Sequence, residues 1–228
     1  MRNTIVVIKK QFRDTLKNKT VLIQFILFPI MTLIMENAVK VADMPELFFT
    51  KIFSMMYIGM APLTAVAAII SEEKEKNTLR VLMMANVTPW QYLLGVGVYV
   101  WTICMGGAAV MATGFAARNI LFYLAVMGIG FAISIVLGGC IGILADNQIA
   151  ATSLVMPAMA ILSFGPMLAM FNSTIEKVAR FLYTQQLRLL LDNMSFEWGR
   201  VESFGIIVTN AAVLVVLFFI AFRRKGLE

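Results

Sequence analysis

The residues of this chain with chemistry to offer gather in one break between two apolar runs, Ser71–Glu72–Glu73–Lys74–Glu75–Lys76–Asn77–Thr78–Leu79–Arg80. Three carboxylates and three cations there sum to zero charge. Mixed charge followed by apolar Val81, Leu82 and Met84 suits docking against a soluble surface better than it suits the wall of a channel. Bond-making chemistry has little to work with elsewhere. The chain has no His, which removes most zinc sites and every His-based acid–base scheme. No Gly-x-x-x-x-Gly-Lys-Ser/Thr run occurs, so the chain does not hold ATP through a P-loop. No Asp, Glu, Lys or Arg stands in the middle of an apolar stretch, and Glu36 and Asp146 lie at edges. Ion-coupled carriers place ionisable groups at membrane depth, and intramembrane hydrolysis needs a nucleophile with a base or a metal. The expectation is a chain without catalytic, metal-binding or cofactor-binding residues. Any energy it uses enters through another polypeptide.

The elements that position this break are membrane spans. Of 228 residues, 60% are hydrophobic and 14% charged, against roughly 25% charged in soluble domains. A bilayer core of about 30 Å takes about 20 helical residues. Six stretches qualify: Thr20–Met35, Ile52–Ile70, Tyr92–Ala116, Ile120–Ala145, Ile149–Phe171 and Phe204–Phe222. Their runs are continuous rather than alternating, which excludes strands. The fold expected is all-α, a single polytopic membrane domain over residues 1–228 with six transmembrane helices. An even number of spans puts both termini on one side. That side holds twelve of the 19 basic residues, so both termini are expected in the cytoplasm. The net charge of +6 therefore concerns orientation and anionic lipid, and no basic face interleaved with aromatics points to nucleic acid.

Three segments outside the spans carry their own patterns. In residues 1–19, Ile5, Ile8, Phe12 and Leu16 recur at helical spacing, with Lys9, Lys10, Arg13 and Lys17 mostly on another face. This is the pattern of a basic amphipathic helix on the inner leaflet. In residues 71–87, Glu72 to Met84 reads as a separate short helix with Glu72, Glu73, Glu75, Lys76 and Arg80 wet and Val81, Leu82 and Met84 buried toward lipid or protein. Thr88–Pro89–Trp90–Gln91 then reads as a capping box with Pro at the first helical position, opening the third span. In residues 172–203, Ser173 followed by Glu176 reads as another capping box. One or two amphipathic helices are expected there at the outer surface, with Trp198 as an interface anchor.

Within the spans, Ser134, Gly138 and Gly142 form a small-residue stripe for close helix packing, and Cys104 and Cys140 read as small packing residues. Pro157 and Pro166, with Thr152, Ser153 and Ser163, make the fifth span the best candidate for a bent, pathway-lining element.

Glu72 to Leu82, then Thr88–Pro89 and Tyr92–Leu93–Leu94–Gly95, resemble permeases of type-2 ABC exporters. That family carries a Glu-x-Glu-x-Gly-Thr-Leu coupling helix between spans two and three, and a Ser/Thr-Pro pair before span three. The N-terminal helix, six spans and outer helices extend the likeness over the whole chain. Asn77 stands where the family often has Gly, and Asn tolerates a left-handed turn. The resemblance implies a multi-pass subunit of a bacterial plasma membrane, paired with a second permease copy or paralogue in contact with membrane lipid. It also implies a separate ABC ATPase that carries ATP and Mg. The coupling residues would be Glu72, Glu73, Glu75, Lys76, Thr78, Leu79, Arg80, Val81 and Leu82. Lys9, Phe12 and Arg13 would make a second ATPase contact, and Asp146 with Asn147 a third. The expected activity is export of an amphipathic or hydrophobic substrate such as a drug, antimicrobial peptide or lipid-like molecule. A self-contained carrier or channel and a non-transporting immunity or scaffold subunit stay open as other classes.

Overall fold

A computed structural model describes residues 19–39, 45–193 and 201–225. The described residues form nine α-helices and no strand: α1 Lys19–Ala38, α2 Phe48–Glu75, α3 Thr78–Met84, α4 Pro89–Met111, α5 Ala117–Leu144, α6 Gln148–Ala169, α7 Ser173–Ala179, α8 Tyr183–Asn193 and α9 Val201–Lys225. A short 3-10 turn, Ala112–Gly114, extends α4. Five of them (α2, α4 with its extension, α5, α6 and α9) are long and apolar enough to cross a membrane, and α1 adds a shorter apolar stretch, Ile23–Ala38. The all-helical membrane architecture is the one the apolar runs foretell. Pro29, Pro62, Pro157 and Pro166 all lie inside helices that continue through them.

The centre of the bundle is α2. It packs on α5, α6, α1, α4 and α8, and 67% of its most apolar window is buried. Hydrophobic burial between helices gives no advantage over lipid, so close approach and polar ties must hold this packing. The stripe on α5 supplies the approach. A Cβ on Gly138 would meet the Leu63 carbonyl oxygen at 2.6 Å, and one on Gly142 would meet Ile70 Cβ at 2.8 Å. The Ser134 hydroxyl donates to the Ile58 carbonyl at 2.6 Å. Further ties run from the Tyr57 hydroxyl to the Phe25 carbonyl at 3.1 Å and between the Ser54 and Tyr123 hydroxyls at 2.7 Å. Cys104 and Cys140 are free thiols buried in this packing.

The segment after α6 departs from expectation. Its first helix, α7, is capped by Asn172 rather than Ser173: the Asn172 Oδ1 accepts from the Thr174 and Ile175 amides at 2.9 and 3.3 Å. The Asx side chain one residue earlier reaches both free amides, so Ser173 becomes the first helical residue. The second helix is not a surface element. In α8, Tyr183, Leu187, Leu190 and Leu191 are buried, and the helix packs on α2, α5, α6 and α9. The Tyr183 hydroxyl meets Ser134 at 2.7 Å, past the midpoint of α5. The Asn210 amide of α9 donates to the Phe181 carbonyl at the elbow between α7 and α8 at 3.0 Å. The hairpin thus turns inward: Tyr183, Leu187, Leu190 and Leu191 seat α8 in the bundle, and the Tyr183 hydroxyl finds a partner on α5. Trp198 lies outside the described residues.

Candidate functional site

The charged segment is not one helix but two, and the division falls inside the motif. Glu72, Glu73, Lys74 and Glu75 are the last turn of α2. The chain then turns at Asn77, which takes a left-handed conformation with φ 57°. The Asn77 amide donates to the Lys74 carbonyl at 2.9 Å, and the Thr78 hydroxyl donates to the Glu73 carbonyl at 3.0 Å. Two of the free carbonyls of α2 are satisfied in this way. Helix α3 ends at a second Asn in the same conformation, Asn86 with φ 59°. The Val87 amide donates to the Leu82 carbonyl at 3.2 Å and the Asn86 amide to that of Met83 at 3.1 Å, the bond pair of a Schellman stop. The predicted capping box follows. Gln91 N–H donates to the Thr88 hydroxyl at 3.3 Å, Thr88 N–H donates to Gln91 Oε1 at 3.1 Å, and Pro89 opens α4.

Burial divides the side chains differently from the sequence expectation. Glu73 is not wet: it is 6% exposed and faces the Tyr92 hydroxyl of α4. Val81 and Met84 face away from the bundle, 59% and 70% exposed, open to lipid or to another protein. The anchor of α3 is Leu79, at 1% exposure, with Leu82 partly buried against the core. Helical spacing is the reason. Leu79 and Leu82 stand three residues apart on one side, while Arg80, Val81 and Met84 fall on the other. Arg80 is exposed and makes no hydrogen bond or ion pair with the described residues. Lys76 pairs with Glu72 one turn back.

Around the segment, four helix ends are tied together. The Glu75 carboxylate accepts from the Gln148 amide at 3.1 Å, and Asn147 Oδ1 accepts from the Ala150 amide at 2.9 Å. Both satisfy free donors at the start of α6, where negative charge is favoured. Lys74 donates to the Ile143 carbonyl at 3.1 Å and stands 3.7 Å from Asp146. Lys225, in the last turn of α9, reaches the same carboxylate at 3.3 Å. The hydrogen bond and charge of Lys225, with the charge of Lys74, hold Asp146 below the usual carboxylate range. Asp146 thus ties the ends of α2 and α9 at the junction of α5 and α6, and Asn147 caps α6. Lys225 and Gln148 join the site without a sequence signal of their own, while Leu79, named with the coupling segment, proves to be its buried anchor.

The five residues picked out on the fifth span do not share a face. Thr152, Ser153 and Pro157 are exposed, and the two hydroxyls donate to Gln148 and Ile149 carbonyls within their own helix. Ser163 and Pro166 are buried, with Ser163 packed against Gly59 of α2. Lys9, Phe12 and Arg13 lie outside the described residues.

The model of the ABC-2 family transporter protein matches residues 2–223. The chain belongs to the ABC-2 transporter family. A comparison with curated proteins finds no match. This permease is therefore a membrane subunit of an ABC transporter, a class that works with an ABC ATPase and is generally non-catalytic itself. The helix break at Asn77 falls inside the segment of this ABC-2 permease whose sequence resembles a coupling helix.

Proposed function

We propose that this permease exports an amphipathic or hydrophobic substrate across the plasma membrane, driven by a separate ATPase that docks on α3. The observation that carries the reading is the division of α3 into an anchored and an exposed side. Leu79 fixes the helix to the bundle, while Arg80, Val81 and Met84 are left facing out. A cation beside two apolar side chains is the composition of a protein-docking patch, with the apolar groups at its centre and charge at its rim. Glu75, Lys74 and Asp146 link that patch to α6 and α9. A push on α3 would reach two long helices at once. Glu72, Glu75 and Lys76 stand at the edge of the patch, while Glu73 is turned into the protein.

ATP and Mg belong to the partner in this reading, and the charged segment faces the cytoplasm with both termini. The large apolar faces left exposed on α1, α6 and α9 suit lipid and a second permease copy or paralogue. The test is co-purification of the tagged chain with the ATPase encoded beside it, followed by ATP turnover in lipid discs. A stable complex with vanadate-sensitive turnover supports the proposal. A folded, inserted chain that retains no ATPase contradicts it.

A further inference from the structure

At the end of the bundle away from the charged segment, α2, α6 and α8 enclose a cavity of about 320 Å3. Phe48, Ile52 and Met170 line its apolar side, and Lys51, Arg188 and Asp192 its polar side. The volume lies at the lower end of the roughly 300–1,000 Å3 of small-molecule sites. Among the described residues that line it, the charges do not balance. Arg188, with a side chain 10% exposed, donates from Nη1 to Asp192 at 2.9 Å and from Nε to the Gln185 side-chain Oε1 at 3.1 Å. Lys51 stands 3.9 Å from the other Asp192 oxygen, with its side chain 21% exposed. That distance is beyond a hydrogen bond. Two cations therefore share one carboxylate, and neither the Lys51 ammonium nor the Arg188 Nη2 donates to a described residue.

A brace between α2 and α8 needs only one cation for its one carboxylate. A second, largely sequestered cation against an apolar wall is costly unless an anion neutralises it. We propose that this cavity binds the head of an anionic amphiphile, a phosphodiester or carboxylate carried on an apolar tail. The head sits between Lys51 and Arg188 as a charge-assisted acceptor, and the tail leaves along Phe48, Ile52 and Met170. Two sources share this chemistry, a lipid of the bilayer and a transported substrate. The site does not depend on the export reading, because its occupancy is measurable without turnover.

The test is native mass spectrometry of the purified full chain titrated with phosphatidylglycerol or with zwitterionic phosphatidylcholine. One phosphatidylglycerol should bind saturably and more tightly than phosphatidylcholine. Lys51→Gln removes the unbalanced charge and leaves the Arg188–Asp192 pair neutral, so the fold should persist while affinity drops about tenfold. Lys51→Arg should retain binding, and Met170→Trp should reduce it by filling the cavity. Equal binding of the two lipids, or unchanged affinity in both Lys51→Gln and Met170→Trp, overturns the site. Fluorescent phosphatidylglycerol in proteoliposomes of the assembled transporter separates the sources. Retention without ATP-driven movement supports a resident lipid, and ATP-driven movement supports a substrate bound at the same place.

Discussion

Leu79 and Arg80 are neighbours in sequence with opposite work to do. Leu79 is buried beneath α3 and Arg80 is exposed above it. Leu79→Ala should cost about 2–5 kcal/mol by leaving a cavity. It should lower the thermal midpoint of the permease even without its partner. Arg80→Ala should change stability by no more than about 0.5 kcal/mol, as surface changes do, leaving that midpoint near the parent's, and should weaken ATPase co-purification instead. Thermal melting of the isolated chain and pull-down of the complex separate the two effects. Loss of stability in Arg80→Ala would contradict the assignment. The sequence made the charge of this segment plain but not its sidedness. Glu73 reads as one more solvated carboxylate, and only its position one turn before a break, facing Tyr92, turns it inward. Asn77 was legible for a physical reason, since a left-handed turn tolerates Asn where it resists most side chains.

At the scale of elements, the bundle rests on close helix approach and on ties between helix ends. Gly138→Val should force α2 and α5 apart, because the added Cβ would meet the Leu63 backbone oxygen. Overpacking of this kind costs about 1–3 kcal/mol. A thermal midpoint equal to the parent's would show that the two helices are not held where described. Asp146 gives a prediction in pH. Its carboxyl is depressed below the ordinary value of 3.8 by Lys225 and Lys74. A depressed acid stabilises the folded state fully above its unfolded pKa and loses that contribution as pH falls through the folded value. The difference in thermal midpoint between parent and Asp146→Asn should be small and constant at neutral pH, then vanish on acidification below the ordinary carboxylate range. Added salt should shrink it as well, since the carboxylate is exposed. A difference that persists at low pH would show that Asp146 acts through something other than charge. The small-residue stripe was readable because spacing alone sets a helix face. The brace was not, since Lys74, Gln148 and Lys225 are distant in sequence and meet only through the packing of α2, α6 and α9.

Across the whole molecule, hydropathy made the membrane architecture legible, because long uncharged runs have few other folds open to them. It misled at α8. A short helix with Gln185, Gln186 and Arg188 looks like a surface element by composition, yet it is buried against α2, α5, α6 and α9, which only the fold brings near. The same inward turn creates the charged cavity at one end, while the docking side of α3 stands at the other. The central claim is that the exposed side of α3 receives the ATPase. It is tested most directly by a photo-crosslinking residue at Met84 in the assembled complex, with Leu121, exposed near the start of α5, as the control position. The account predicts an ATPase adduct from position 84 and none from 121. An intact, ATP-hydrolysing complex with no adduct from position 84 would contradict it.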